Sequence, residues 1–351
     1  MSIDEYDTEN HCQTGEILAK RRDMMKTRQL LLFFVFLTVF FFGMCHAWAG
    51  EIIKLAVGTK PGSAQNICAD EFRKLLEIRS NYKVVLYQGS SLGTETDILK
   101  KIQADEAQLG VITSAPFDAF LPDVHVLDYP FLFANYDQVD MVLNGVHGQE
   151  LLKRLEKAGF KGLAYAENGF RNLTNNRRSV HRVEDVAGLK IRVMESAVHR
   201  ELWKMLGAIP VSMGWPGVIP ALKEKSVDGQ ENPLSVVWTN QLYESQKYLS
   251  LTRHVYSPHI AVANLKWFED LPETDRKLIR QCMQEAALYQ KRWNRKNMAN
   301  FLENLKRSGM IVDETPDVKS FRNKVADIQN HAIFQDPGTR ELLKQFMEAV
   351  K

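Results

Sequence analysis

The chain has 351 residues, of which 45% are hydrophobic and 25% are charged, and its formal net charge is +2. Five of its 45 basic and six of its 43 acidic residues precede Gly50, so the rest of the chain is also close to neutral. This balance argues against the clustered basic surface that nucleic-acid binding requires.

Residues 1–49 have the pattern of a leader and a secretory signal peptide. Lys26 and Arg28 precede an apolar run over 30–44, which ends at a small-x-small site at 47–49. The run is about 15 residues long, shorter than the roughly 20 that span a bilayer as a helix. We therefore predict export to the periplasm with cleavage near Ala49. A retained anchor and lipidation at Cys45 are the alternatives, and residues 1–23 are interpreted as an overextended start or a dispensable leader.

The first half of the exported chain alternates predicted strands and helices. Strands are predicted at 51–57, 82–87 and 109–112, and helices at 64–78, 94–104 and, broken at Gly145, 137–158. A loop packed on the core is predicted over 121–133. This βαβ order predicts a mostly parallel sheet covered by helices on both faces.

A second α/β unit is predicted from about residue 162. Its predicted strands are 162–167, 190–194 and 209–212, and its helices are 197–206, closed by Gly207, then 219–225 and 234–241. The apolar residues of 256–264 predict a strand that crosses back into the first unit. Residues 273–306 predict one helix that would reach about 50 Å at 1.5 Å per residue. Because such a helix exceeds one small domain, we expect it to bridge both units in a hinged two-lobe clamp.

Two cysteines, Cys68 and Cys282, follow the predicted cleavage site. They lie in separate predicted helices, and spacing alone does not determine whether they form a disulfide. Free, half-buried thiols are the simpler interpretation.

Arginines next to apolar residues are the main chemical signal of the sequence. Arg192 lies in the predicted strand 190–194, on the polar side of a period-2 pattern, where its two parallel donors match a carboxylate. An ion pair with a neighbouring acid is the alternative. Arg171 follows Phe170 and precedes an amide-rich run over 172–176, which predicts a loop that binds a ligand or closes a turn.

Three further residues are candidates for the same cleft. Asn232 precedes a helix-starting proline and could direct its amide into a cleft, although that proline follows a local helix rule. Trp215 is either a core aromatic or a flat wall for a ligand. His259 lies in the predicted crossing strand, where it could line the cleft.

The sequence carries no signal for catalysis. It contains no GxSxG, HExxH, paired CxxC, Walker or GxGxxG motif, and its histidines lack metal-ligand spacing. His199 and Arg200 are predicted on a solvated helix face. We therefore expect no enzymatic activity, no bound metal and no cofactor.

Several phrases occur in an order that resembles one family. GFRNLTNN (169–176), GLKIRVM (188–194), MLGAIPVSMGW (205–215) and VDGQENPL (227–234), with SSLGTETDIL (90–99) and LDYPFLF (127–133), are similar to the solute-binding proteins of TRAP transporters, DctP family. The resemblance extends over about residues 52–328. It implies an α/β, bilobal periplasmic-binding-protein fold, with two domains, a hinge and a long helix spanning both.

The resemblance also implies roles for individual residues. Arg192 matches the arginine that clamps the ligand carboxylate, Arg171 a second arginine, and Asn232 an asparagine that orients the same carboxylate. Trp215 falls where the family has an aromatic wall. Glu95 stands where sialic-acid-binding members have an acidic contact; Thr113 and Gly58 depart from those members, so sialic acid is not expected.

The family implies transport without turnover. We predict a periplasmic protein that binds an organic acid by its carboxylate and delivers it to the small and large membrane subunits of a TRAP permease, and we expect a monomer. The predicted first lobe comprises 50–168 and 258–297, and the second comprises 169–257 and 298–351. The alternatives are a dicarboxylate-binding member, or a sensor module that presents the ligand to a kinase.

One stretch departs from the family. After the aromatic, many relatives have Glu-Val-Tyr, whereas this chain has Pro-Gly-Val-Ile at 216–219. If those positions line the pocket, the loss of an acid and a phenol leaves more apolar wall. This favours a bulky or aromatic monocarboxylate over a small dicarboxylate.

Overall fold

The computed structural model describes residues 51–351. The predicted leader, signal peptide and cleavage site lie outside the described residues. Within 51–351, no helix combines the length and apolarity that a membrane span needs.

Residues 51–351 contain strands and α-helices joined by short 3₁₀ turns. The strands are β1 Ile52–Val57, β2 Lys83–Tyr87, β3 Leu109–Thr113, β4 Phe160–Asn175, β5 Lys190–Val193, β6 Ile209–Ser212, β7 Gly229–Asn232, β8 Tyr248–Asn264 and β9 Ile311–Asp313. The helices are α1 Ala64–Arg79, α2 Glu95–Gln103, α3 Tyr136–Asn144, α4 Val146–Arg154, α5 Ala197–Met205, α6 Val218–Lys223, α7 Leu234–Thr239, α8 Leu265–Asp270, α9 Glu273–Arg307, α10 Val318–Lys324 and α11 Pro337–Ala349.

The strands form one mixed sheet in the order β2-β1-β3-β8-β4-β7-β5-β6, with β9 paired to β8. Pairing is parallel on both flanks, where β1 joins β2 and β3, and β5 joins β6 and β7. It is antiparallel in the middle, where β8 joins β3 and β4, and β4 joins β7. The parallel flanks form two lobes: β1–β3 with α1 and α2 in the first, and β5–β7 with α5–α7 in the second.

The two central strands are much longer than predicted. The sequence predicted strands at 162–167 and 256–264, whereas β4 and β8 have 16 and 17 residues. The interpretation of 172–176 as a loop was therefore wrong for 172–175, which pair with β7 and, in part, β8. The pairing of the two strands shifts register at three points, one of them between Glu167 and Gly169, at the predicted lobe boundary. Gly169 has φ +120°, a conformation that other residues adopt only with strain.

The long helix is confirmed. Helix α9 runs for 35 residues and packs on α1 in the first lobe, on β4 and on α7 in the second. At the crossing, the Gln290 side chain bonds both the backbone N–H and the carbonyl of Glu167, each at 2.8 Å. Asn294 and Arg295 donate to the two oxygens of the buried Glu167 carboxylate, at 3.0 and 2.9 Å. The helix therefore holds β4 at this register shift.

The two cysteines among residues 51–351 are buried free thiols, Cys68 on α1 and Cys282 on α9. They belong to the same apolar cluster, which fills the space between these helices and the sheet of the first lobe. The structure thus agrees with unbonded thiols and buries them more completely than the half-buried thiols of the prediction.

The packing of the last helix, α11, differs from the predicted division into lobes, and that division remains a prediction. Helix α11 packs on the 3₁₀ segment Pro122–Asp128, and the Thr339 hydroxyl donates to the buried Asp123 carboxylate at 3.3 Å. Residues 337–349 were assigned to the second lobe, whereas their packing partners belong to the predicted first lobe.

Candidate functional site

A cleft between the two lobes brings most of the predicted site residues together. Its empty volume is about 600 Å³, counted out to its open mouth. Six of the eight predicted ligand-binding residues line it: Glu95, Thr113, Arg192, Trp215, Asn232 and His259. The other two, Phe170 and Arg171, do not form part of its lining.

Arg192 supplies the positive charge of the cleft. Its neighbours Ile191 and Val193 are fully buried on the opposite face of β5, as the period-2 pattern predicted. The guanidinium donates from Nε and Nη2 to the Met213 carbonyl, at 3.0 and 2.7 Å. Among residues 51–351, no carboxylate lies within 4 Å of it, so the ion-pair alternative does not apply to Arg192.

Burial acts directly on this arginine, which is 3% exposed. Loss of solvent lowers the pKa of the Arg192 guanidinium to about 10, so it remains a cation at neutral pH. A buried cation without an ion-pair partner is costly unless an anion neutralises it. The site is therefore prepared to receive a negatively charged group.

Glu95 supplies a carboxylate from the other lobe. Its Oε1 accepts hydrogen bonds from the Thr113 amide at 2.9 Å, the Thr113 hydroxyl at 3.0 Å and the Gln65 side chain at 2.5 Å. Burial raises the pKa of this carboxyl above its usual value, and these bonds and the charge of Arg192 only partly offset the rise. A Cβ at Gly58 would lie 2.8 Å from Glu95 Cγ, so the glycine gives Glu95 room on the wall.

Two lining residues carry buried polar atoms without a protein partner. These atoms are Nδ1 of His259 and Oδ1 of Asn168. Burial, followed by the charge of Arg171, lowers the pKa of His259 to about 3, so its imidazole is neutral at pH 7. Buried polar atoms are normally hydrogen-bonded, and exceptions in a pocket indicate places where a ligand or water binds.

Arg171 lies in a fully buried ion pair and not on the cleft wall. Its Nε and Nη2 donate to the two carboxylate oxygens of Glu231, at 2.5 and 2.8 Å, and Nη2 also donates to the Glu231 carbonyl at 2.6 Å. The predicted direct contact of Arg171 with a ligand thus has no geometric support in this arrangement. An ion pair with a neighbouring acid, the alternative considered for Arg192, is thus found at Arg171.

Two histidines complete this buried cluster. His254 Nε2 lies 3.0 Å from one Glu231 oxygen, and His199 Nδ1 lies 3.4 Å from the other, the latter without hydrogen-bond geometry. Burial alone would raise the pKa of Glu231, but Arg171 and His199 hold it well below its usual range. The prediction that His199 lies on a solvated helix face was wrong, because its side chain is fully buried beside Glu231 and Asp128.

Phe170 is part of the aromatic core between the lobes. Its ring lies 5.2 Å from those of Tyr136 and Tyr256, both edge-on, and the Arg253 guanidinium lies 4.2 Å above it. The side chain thus stabilises the crossing region beside the cleft.

Trp215 lines the cleft, as predicted, whereas the residues that follow it do not. The Arg192 guanidinium carbon lies 5.9 Å from the centre of the indole ring. Val218 is fully buried in an apolar cluster of the second lobe, and Ile219 packs against that cluster. The Pro-Gly-Val-Ile stretch at 216–219 is absent from the cleft lining, so it does not enlarge the pocket wall.

Several lining residues were not predicted, among them Gln65, Asn168 and Glu195. Gln65 is the second residue of the helix that follows β1, and helix starts at the carboxyl ends of strands are the usual ligand crevice of α/β sheets. That rule could have identified it. Asn168 directly precedes GFRNLTNN and could have been added to that phrase. Over residues 51–351, no group of three or more His, Cys, Asp or Glu side chains could hold a metal ion.

A family model described as "Bacterial extracellular solute-binding protein, family 7" (DctP) matches residues 55–335. A solute-binding protein of Verminephrobacter eiseniae is 34% identical over 305 residues, which cover 86% of this chain and 90% of that protein.

Solved structures show the same fold. A TRAP periplasmic solute-binding protein from Polaromonas, bound to D-erythronate, is 34% identical with a TM-score of 0.81 and covers 85% of this chain and 98% of its own. The sugar acid binding protein DctPAm of Advenella mimigardefordensis, in complex with galactonate, is 32% identical with a TM-score of 0.81, covering 86% and 99%.

Proposed function

The chain belongs to the bacterial extracellular solute-binding proteins, family 7, and on this premise we propose that it captures an organic acid and delivers it to a TRAP permease. Members of this family are transport proteins. The proposed mechanism is binding without turnover, in which the lobes close on the acid and release it at the membrane.

The observation that carries this proposal is Arg192, a buried cation that lines the cleft without an acidic partner. A ligand carboxylate would accept from its free Nη1 and neutralise it, with Asn232 and Trp215 on the same wall. Charge-assisted hydrogen bonds of this kind are about twice as strong as neutral ones. The ligands of the two solved structures, D-erythronate and galactonate, are both carboxylates and support this assignment.

We further propose that the protein acts in the periplasm as a monomer after removal of a signal peptide near Ala49, and that its partners are the small and large membrane subunits of the permease. A sensor module is the alternative for the partner, and a neighbouring kinase gene without permease genes would favour it.

The ligand is proposed as an organic acid held through its carboxylate. A bulky or aromatic monocarboxylate was expected from 216–219, and the position of those residues away from the cleft removes the basis of that expectation.

A ligand screen tests the function. We expect thermal-shift measurements on the protein without its first 49 residues to show stabilisation by one or more organic acids, confirmed by calorimetry. Because a ligand that binds only the folded state at 100 times its Kd adds about 2.7 kcal/mol, the shift is readily measured. Neutral sugars of matched size serve as controls. Stabilisation by neutral sugars alone would contradict the carboxylate site.

Closure of the cleft depends on Gly214. A Cβ at this residue would lie 2.5 Å from Cγ2 of Thr94 in the other lobe. Thr94 cannot turn away at low cost, because its hydroxyl and backbone hold the capping box of α2 with Asp97. We expect Gly214→Ala to cost about 1–3 kcal/mol of closure, as overpacking does. Calorimetry should then show affinity about 5- to 150-fold weaker.

A matched variant and a rescue accompany this prediction. Gly217→Ala, in the same segment, meets only the Met213 sulfur at 3.4 Å and should leave affinity unchanged. Adding Thr94→Ser, which removes Cγ2 and keeps the capping hydroxyl, should restore part of the binding to Gly214→Ala, since Thr94 Cβ and Glu195 Oε2 would still lie 3.2 and 3.1 Å from the new methyl group. An equal loss in both glycine variants, or no rescue, would refute the closure contact.

A further inference from the structure

The first lobe gives the cleft a hydrogen-bonded carboxyl group, and the second gives it a buried cation. Arg192 comes from β5 of the second lobe, and Glu95 is the first residue of α2 in the first lobe. No ion pair of 4 Å or less joins them, although each influences the titration of the other. A ligand that binds between them meets a cation at one end and a carboxyl group at the other.

The Glu95 wall is built to hold that carboxyl group in place. Oε1 is saturated by Thr113 and Gln65, and the Thr59 hydroxyl in turn donates to Gln65 Oε1 at 2.9 Å. These bonds leave Oε2 for the ligand. The oxygen can accept a hydrogen bond from a hydroxyl group, whereas a second ligand carboxylate beside it would meet a like charge or require a shared proton.

The unpartnered atoms of the cleft favour the same ligand chemistry. Nδ1 of His259 can donate or accept according to its tautomer, and Oδ1 of Asn168 accepts. Both residues line the cleft, and side chains of this kind can be satisfied by alcohol groups, which donate and accept at once.

Given the proposed function, on which this step rests, we infer that the ligand has a single carboxylate on a hydroxylated chain, and that Glu95 excludes a second carboxylate. Arg192 holds the one carboxylate, while Glu95, Asn168 and His259 bind hydroxyl groups. The class is that of the aldonic acids, and the excluded class is that of the corresponding diacids.

Matched acids separate the two classes. D-Erythronate and meso-tartrate differ only at C4, where the first has a hydroxymethyl group and the second a carboxylate; D-galactonate and galactarate differ in the same way at C6. By calorimetry at pH 7.5, the wild-type protein should prefer the monoacid of at least one pair by at least about 100-fold, since like charges in contact cost several kcal/mol. In Glu95→Gln, we expect the diacid of that pair to bind at least about tenfold more tightly than in the wild type.

Glu224→Gln is the control. Glu224 is exposed and lies outside the cleft lining, so its replacement should leave the preference unchanged. Thermal unfolding of both variants shows whether each is folded. Comparable wild-type binding of diacid and monoacid, no binding of either pair, or no gain of diacid affinity in Glu95→Gln would overturn the inference. The proposed function fails separately, if no organic acid in the screen binds.

Discussion

Replacement of Arg192 by alanine is expected to abolish measurable binding of the organic acid and to leave the fold intact. The ligand carboxylate would then be desolvated in the cleft without its cation, and truncating one member of such a pair costs about 2–5 kcal/mol. That corresponds to a loss of about thirty-fold to several-thousand-fold in affinity. Calorimetry with the best acid from the screen measures it.

The loss of binding in Arg192→Ala should not be accompanied by a loss of thermal stability. Without ligand, Arg192 is a buried cation bonded to a carbonyl, so its removal should leave the thermal midpoint unchanged or raised. Arg200→Ala is the matched control, because Arg200 is exposed on α5 and should affect neither quantity. Arg192→Lys should bind with intermediate affinity, since lysine keeps the charge but lacks the planar fork. Unchanged affinity in Arg192→Ala would exclude the carboxylate clamp.

The second large effect is expected for Arg171→Met, which should lower the free energy of unfolding. Arg171→Met leaves the fully buried Glu231 carboxylate without its main partner. Breaking a buried pair in this way costs about 3–5 kcal/mol. Urea unfolding followed by circular dichroism, on protein free of ligand, should show a free energy of unfolding lower by this amount.

The double variant Arg171→Met with Glu231→Gln distinguishes a lost charge partner from lost packing. It removes both ions and leaves no uncompensated carboxylate, so it should be more stable than Arg171→Met alone. A loss below about 1 kcal/mol in Arg171→Met would indicate that the pair contributes little. A double variant less stable than the single one would show that Glu231 is stabilised mainly by its histidines.

The sequence predicted most of the parallel flanks and the long helix because their signals are local, but it did not predict β7, which pairs with β5 and carries Asn232. Arg192 was placed correctly because Ile191 and Val193 mark the other face of its strand. The family resemblance and the predicted crossing strand also indicated residues that share the cleft, and the structure brings six of these together.

The extended central strands could not be predicted in this way. Thr174 is fully buried, and its hydroxyl bonds Gln246 at 2.8 Å, a residue far along the chain. Asn172 accepts from the Arg253 amide at 3.2 Å. Polar residues that find distant partners look like a loop when only their neighbours are considered. The same cause explains Arg171, whose buried partner Glu231 lies on another strand.

The sheet order has a consequence for how the chain folds. In the first lobe, β3 pairs with β8, so that Leu109 lies opposite Ala263, and α1 is covered by α9, with an ion pair between Arg79 and Glu285 at 2.7 Å. A nascent chain that ends before β8 therefore has an unpaired strand edge, and one that ends before α9 has a bare apolar helix face. Such pairings between residues far apart in the sequence slow folding, and they leave hydrophobic surface exposed in incomplete chains. The protein should thus acquire its structure late, after nearly all of it has been synthesised, and its fragments should aggregate and not behave as independent lobes.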